Sequence, residues 1–561
     1  MSVGNSFGLL HRQFGRYLKQ TSGNVTMMLA LSAVPVSAIV GAAVDYANIT
    51  RDMAAFQAAA DAAVLAVASS DRASLSNLDD EQKAQRISEL EDDAARFIVK
   101  NYNSKGSDVA PSDVALAIDG ASVILTTTHE VPTLWLGSLG IYGPTVTVTS
   151  EVKKAARPVE LVMVMDTTGS MGTTYMNQAK TAARNLLNTL YGGDAEAEPE
   201  SEYIRIGLVP FSGAVRLDQD AYDFDLDWID TSGAAAVSKL NFNDTEWHNY
   251  MAWQQLSNRP WNGCVEARAT SGDYNVTDTP PTGGDSLFTP YFAPDEPTFS
   301  GSTSSPYNFL NSYIGNSGSP NEQSGISTST SSSNHINRQN NEKKYVGRTI
   351  SSENNSSYGP WFNCAKSALV PLTYDRAKVE AGINAMTASG STVIPEGLAW
   401  GWRALSPTEP LTKVEAGPTQ PAGTISAYNH PKWQKILVLM TDGENDVLSN
   451  GNQINSLNGT WYSAYGRGKA ATGNRFGTTN SNQVNGALDT AMSTLCENIK
   501  AQGIVVYTVA FRVNSTSIQN RLRSCASTDA HYSYAANGVA LAAIFNHIGE
   551  NVANTSIYLS K

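Results

Sequence analysis

The run 159–165, apolar except for Glu160, ends in Asp166, and Thr168 and Ser170 follow at alternate positions before a helical pattern begins at about Thr173. A short run this apolar, bounded by turn residues, is expected to be a strand buried on both faces. Such a strand delivers its terminal aspartate to a sheet edge, where the polar loop gathers oxygen atoms above the next helix. Beyond Pro158 the chain continues in the same alternation. Helix 175–190 is expected next, then strand 203–212, helix DRAKVEAGINAM, loop ASGSTVIPEG with helix GLAWGWRAL, and strand KILVLMTDGEND. Helix ALDTAMSTLCENIKAQG, strand IVVYTVAF, helix SIQNRLRSC, strand AHYSYAA and helix ALAAIFNHIGENV complete it. Strands alternating with helices predict an α/β fold with a doubly wound, mostly parallel sheet. Sheets of that kind bind ligands at the carboxyl ends of their strands, near the switch in strand order.

Three loops are expected at that edge. The first carries Asp166, Thr168 and Ser170, the second carries Thr392 in GST before a helix, and the third carries Asp442 in LMTDGEN after an apolar strand. Carboxylates and hydroxyls suit a hard divalent cation. Asp166 alone would signify little, because acidic residues often end strands as helix caps. In the second loop Ser391 adjoins Thr392 and competes for its role. The spacing D-x-T-x-S, joined by Thr392 and Asp442 in chain order, resembles the metal-ion-dependent adhesion site of von Willebrand factor A domains. That resemblance implies Mg2+ as the first choice of ion, with Mn2+ or Ca2+ as alternatives. It also implies direct ligation by the hydroxyls, aspartates acting through water, and a protein partner whose acidic side chain completes the shell. Thr168 departs from the commoner serine by one methyl group.

Residues 25–44 carry no charge and are long enough to cross a bilayer. His11, Arg12, Arg16 and Lys19 precede this stretch, while Asp45, Asp52 and Asp61 follow it. The positive-inside rule therefore places the short N-terminus in the cytoplasm and the large C-terminal part outside. A cleaved secretory signal is the competing reading; it calls for a shorter apolar core and a closely following small-residue site. A long alanine-rich helix should continue to about Ala68. A second helix over 78–101 carries Ile87, Leu90, Ala94, Phe97 and Ile98 at helical spacing. Three strands, VALAID, SVILTTTHEV and TVTVTSEVKK, follow with a turn at Asp119-Gly120.

The run 56–66, FQAAADAAVLA, with SGNVTMMLALSAVP and the VDYAN junction, resembles the N-terminal region of TadG-type tight-adherence (Flp) pilus assembly proteins. RPWNGCVEAR, VIPEGLAWGWRALSP, TDGEND and the terminal CAS and IFNHIG stretches resemble their C-terminal part. The resemblance implies a bacterial inner membrane, single-pass, with the large part periplasmic. The expected organisation is a basic segment 1–22, a span 23–44, a helical plus β module 45–156, and an A-type domain 157–561. That domain is interrupted at about 216–361 and 447–482. The Ser/Asn/Gly-rich tract of the first insertion is expected to be largely mobile, for want of apolar area. The part with Trp228, Trp247, Trp253 and Trp261 is expected to be ordered.

Cys264, Cys364, Cys496 and Cys525 show no metal-ligand spacing and fit two disulfides in an oxidising compartment. Pairing in chain order is one of three connectivities, and each bridge would contribute about 3 kcal/mol. The net charge of −13 disfavours a nucleic-acid face. TGSMG lacks the nucleophile-elbow frame, GRGKA lacks the first glycine and final hydroxyl of a phosphate loop, and the seven histidines are scattered. No enzyme and no small-molecule substrate are expected. The function expected is metal-dependent protein binding in tight-adherence pilus assembly or surface adhesion. A structural pilin-like subunit that assembles through its N-terminal helix is the alternative, and a chelatase-type platform for an ATPase is disfavoured by the export topology.

Overall fold

A computed structural model of the chain describes residues 24–559. It leaves out 74, 76–78, 103–112, 120–121, 132, 139, 141–142, 155–157, 194–199, 219–225, 258–259, 297–310, 315–318, 323, 326–331, 351–358, 448–461, 468–474, 477–480 and 554–556. The basic residues ahead of the apolar helix, Gly120 of the expected hairpin turn, and most of the second insertion lie outside the described residues. Two compact units form, Met1–Ala155 with Ser556–Lys561, and Ala156–Thr555.

In the first unit, α1 (Asn24–Ala68) runs unbroken through Pro35. Its first half exposes Met28, Leu31, Val34 and Ile39, while its second half buries Phe56, Ala60, Ala63 and Val64. The helix α2 (Asp80–Asn101) starts at a capping box in which the Asp79 carboxylate accepts from the Gln82 amide at 2.8 Å. Strands β1 (Val114–Asp119), β2 (Ser122–Glu130) and β3 (Thr145–Lys154) form an antiparallel meander. Their alternation turns Val123, Leu125, Val148 and Val152 into one core with the two helices. A fourth strand, Ile557–Leu559, pairs antiparallel with β3. The last residues thus belong to this unit, whereas the sequence reading runs the A-type domain to 561. Three residues pairing across some four hundred positions leave no local periodic signal.

The second unit contains β4 (Val159–Asp166), α3 (Gly172–Tyr191), β5 (Ile204–Phe211), β6 (Ala214–Arg216), β7 (Cys264–Val265), β8 (Cys364–Ala368), β9 (Val370–Thr373), α4 (Arg376–Ala385), α5 (Ile394–Arg403), β10 (Gln434–Thr441), α6 (Ser481–Ala501), β11 (Val505–Phe511), α7 (Thr516–Cys525), β12 (Tyr532–Ala535) and α8 (Gly538–Ala553). The main sheet has the order β12-β11-β10-β4-β5-β9. Neighbours run parallel except β9, which pairs antiparallel with β5. One face packs Leu161, Met163 and Met165 against α3, α4 and α8, through Leu186, Val379 and Phe545. The other packs Val162 and Val164 against α5, α6 and α7, through Leu398, Leu495 and Leu522.

Helix α5 is buried on every side, so it must approach the sheet closely. A Cβ at Gly397 would lie 2.6 Å from the Phe211 ring, and one at Gly401 would collide with Val164. The layer covering α5 is the first insertion. Trp228, Trp253 and Trp261 join Phe288, Phe292 and Tyr345 in the same core, because large aromatics bury enough area to organise a long insertion. Where the Ser/Asn-rich tract is described it is packed as well: Ile314 is buried, and Ser332–Gln339 is helical. Disulfides join Cys264 to Cys364 and Cys496 to Cys525, the first tying β7 to β8 across β6 and the second α6 to α7.

The described part of the second insertion is a buried hairpin, Tyr462–Ser463 with Gly466–Arg467. It is tied to the first insertion at Glu266, which accepts from the Tyr462 hydroxyl at 2.5 Å and the Asn249 amide at 2.8 Å, and pairs with Arg475 at 3.2 Å. Burial pushes the Glu266 carboxyl up to about 7, even against the opposing Arg475 charge. An acid whose folded pKa is raised stabilises most below its unfolded value and loses that contribution as pH rises through the folded one. Between pH 5 and 8, thermal unfolding should therefore show the parent losing stability relative to Glu266→Gln. Parallel curves for the two proteins would contradict this.

Candidate metal centre

Counted in chain order, the six main-sheet strands are arranged 3-2-1-4-5-6, so the order reverses between β4 and β10. Asp166 ends β4, and Asp442 follows directly on β10. Both residues therefore flank the switch point, where neighbouring connections leave on opposite faces and open a crevice.

Asp166 is fully buried. One carboxylate oxygen accepts from the Thr168 amide at 2.8 Å and the other from the Thr441 hydroxyl at 2.6 Å. The Thr168 and Ser170 hydroxyls lie 2.9 Å apart, and Ser170 donates to Asp442 at 2.7 Å. Burial raises the Asp166 pKa, against hydrogen bonds from Thr168 and Thr441 that lower it. Asp442 is pushed up to about 7, first by burial and then by the Asp166 charge. Among the described residues no cationic side chain offsets the Asp442 shift. Two like charges beside each other, one of them fully buried, are costly unless a cation balances them.

The second loop is held to both of the others. The Gly169 amide donates to Gly390 O at 2.9 Å, and the Ser389 amide to Thr167 O at 2.8 Å. Gly390 has φ +84°, and a Cβ on Gly169 would lie 3.3 Å from Gly390 O, so glycine suits both positions. Thr392 and Asp446 exchange backbone hydrogen bonds at 3.0 and 2.9 Å, which ties the second loop to the third. Asn445 steadies the same turn, accepting from the Ile394 amide at 2.9 Å and donating to Asp489 at 2.9 Å.

Side-chain hydrogen bonds thus join Asp166, Thr168, Ser170 and Asp442, while Thr392 is joined to the third loop through its backbone. Among the described residues the buried Ser391 hydroxyl has no hydrogen-bond partner; it lies 3.0 Å from where a Gly213 Cβ would stand. Thr441 escaped sequence reasoning, although its place one residue before Asp442 at a strand end could have marked it. Among the described residues no group of three His, Cys, Asp or Glu side chains gathers. A cation here would rest on two carboxylates, hydroxyls and water. The residues fit that role, because hard divalent ions take all-oxygen shells and two carboxylates match a charge of two.

Strand order, antiparallel edge strand and polar loops at the switch point give a doubly wound, mostly parallel α/β sheet, the fold class of von Willebrand factor A and Rossmann-like domains. At the other end of the chain, residues 23–70 match the family described as Tad, putative Flp pilus-assembly TadE/G-like. No curated protein sequence matches the chain. Among solved structures, the chain is similar to the pilus adhesin SpaC from Lactobacillus rhamnosus GG in its open conformation. The identity there is 12%, over 81% of this chain and 37% of that one, with a TM-score of 0.33. This chain therefore spans little more than a third of SpaC. Another is the vWF domain of the type V pili tip protein Mfa5 from Porphyromonas gingivalis, at 11% identity over 71% and 96%, TM-score 0.30. A third is proximal thread matrix protein 1 from the mussel byssus with a zinc-occupied MIDAS motif, at 11% over 72% and 97%, TM-score 0.19.

Proposed function

We propose that the chain is a membrane-anchored, metal-dependent protein-binding component of tight-adherence (Flp) pilus assembly or surface adhesion. The observation that carries this reading is the hydrogen-bonded chain Thr168–Ser170–Asp442 beside buried Asp166, at the switch point of an A-type sheet. Asp166, Thr168, Ser170, Thr392 and Asp442 would hold a divalent cation, Mg2+ before Mn2+ or Ca2+. When bound, the cation supplies an electrophilic position for a carboxylate from a partner protein. The side chains offer it two buried charges and neutral hydroxyls, which leave part of its positive field uncompensated toward solvent. Ser170 is exposed and Asp442 half-exposed, so the crevice is open to a partner. The match over 23–70 supports the pilus setting, and the exposed apolar half of α1 supports a single span. With the basic residues cytoplasmic, the domain faces the periplasm of a bacterial inner membrane.

Crosslinking in cells with and without chelator tests the reading. Capture of a pilus-assembly protein only when divalent cation is present is expected; capture of the same proteins in chelator would overturn it. The family match falling on α1 rather than on the A-type domain favours one second reading, a pilin-like subunit. Recovery of the chain in sheared pili would support that reading.

A further inference from the structure

The loop between β2 and β3 carries no charged residue from Val131 to Pro144, and it includes Leu134, Trp135 and Leu136. Polar residues normally dominate such loops, so an uncharged, aromatic one at a sheet end calls for an apolar surrounding. The structure fixes where this loop sits. Asp45, the first acid after the uncharged stretch of α1, is 1% exposed and accepts the amides of Leu134 at 3.1 Å, Trp135 at 3.0 Å and Leu136 at 2.7 Å. Its carboxylate is thereby spent on fixing residues 134–136 beside the end of the span.

The Trp135 side chain then packs one helical turn deeper, 3.0 Å from where a Gly41 Cβ would stand. From Asp45 to Gly41 the helix descends about 6 Å, the depth at which tryptophan concentrates between headgroups and acyl chains. Despite these anchors, Leu134 is 73% and Trp135 52% exposed, much as Leu31 is on the bare half of α1 at 72%. A groove of 340 Å3 between the loop and the small residues Ala38, Gly41 and Ala42 continues the same apolar surface along the helix. Side chains of this size are unfavourable to leave in water.

We propose that residues 134–136 form a second membrane contact, a wedge seated at the headgroup–acyl boundary of the bilayer that α1 enters. The occupant of this face is lipid, by continuity with the exposed apolar surface of α1, and the proposal rests on the single-span reading of that helix. The wedge would hold the first unit against the membrane surface and limit rotation about the span.

Spin labels at single added cysteines in the full chain, reconstituted in phosphatidylglycerol–phosphatidylethanolamine vesicles, test this. Leu134→Cys alters an exposed position, so the fold should tolerate it. Leu31→Cys reports the span, and Lys100→Cys, exposed on α2, reports water. The label at 134 should collide more with oxygen than with a water-soluble nickel chelate, as at 31 and opposite to 100. Collision with the chelate as frequent as at 100 would overturn the proposal, and so would shielding from both reagents, which marks a covering protein. A label at 31 that meets the chelate freely would instead defeat the single-span reading.

Discussion

Replacing Asp166 and Ser170 together by alanine should abolish divalent-cation binding while far-ultraviolet circular dichroism stays unchanged. The expectation follows from how the first loop is built. Asp166 supplies one of the two charges that a cation would balance, and Ser170 donates from the first loop to the Asp442 carboxylate. Losing both removes a charge and a hydroxyl and frees the third loop from the first. The fall in affinity should be at least about 100-fold, the upper end of the effect of losing one partner of a metal ligand. Backbone bonds from Gly169 to Gly390 and between Thr392 and Asp446 survive the change, so the crevice should keep its walls. Calorimetric titration of the full chain in detergent with Mg2+ and Mn2+ is the measurement. Heats equal to those of the parent would sink the metal assignment. Ser170→Ala alone, at an exposed position, separates lost ligation from misfolding.

The placement of these loops at one sheet edge is legible in the sequence, because the candidate residues lie where local patterns are strongest. An apolar run, 161–165, that stops at Asp166, and another, 436–440, that stops shortly before Asp442, announce strand ends by composition alone. Thr392 was marked by glycine and a following helix. The disulfide partners were restricted to three connectivities, and only folding chose among them. What stayed hidden was non-local or short. Strand β9 has four residues, one of them Pro371. Proline within a run argues against a central strand, and the residue is accommodated because β9 is an edge strand. The tryptophans of the first insertion gave no period to read, since they fill the space over α5 from short helical segments and irregular backbone. The charge network at the far end of the sheet was equally invisible, because its members are one per strand.

That network carries the second large expected effect. Glu160, Arg205 and Lys435 stand side by side in the register of β4, β5 and β10. Glu160 is fully buried and accepts from Arg205 at 2.7 Å, Lys435 at 2.5 Å, and the Ser426 amide and hydroxyl at 2.8 and 2.7 Å. Arg205 also lies 3.7 Å over the Trp433 ring. Removing the central carboxylate leaves two buried cations facing each other, which costs about 3–5 kcal/mol when one partner of a buried pair is lost. Glu160→Ala should therefore lower the denaturant midpoint most. Glu160→Gln should cost less because it keeps an acceptor, and Lys435→Met least, because Arg205 still balances Glu160. Burial already pushes the Lys435 pKa down, against the Glu160 charge that supports it, so an apolar replacement there gives up little. Glu160 stands six residues before Asp166 on the same strand, about 20 Å away at the usual rise. Cation binding by folded Glu160→Ala protein should consequently match the parent, which separates the stability of the sheet from the chemistry at its opposite edge. A midpoint unchanged in Glu160→Ala would show that the network contributes nothing net, and an altered cation affinity would show that the two ends of the sheet are coupled.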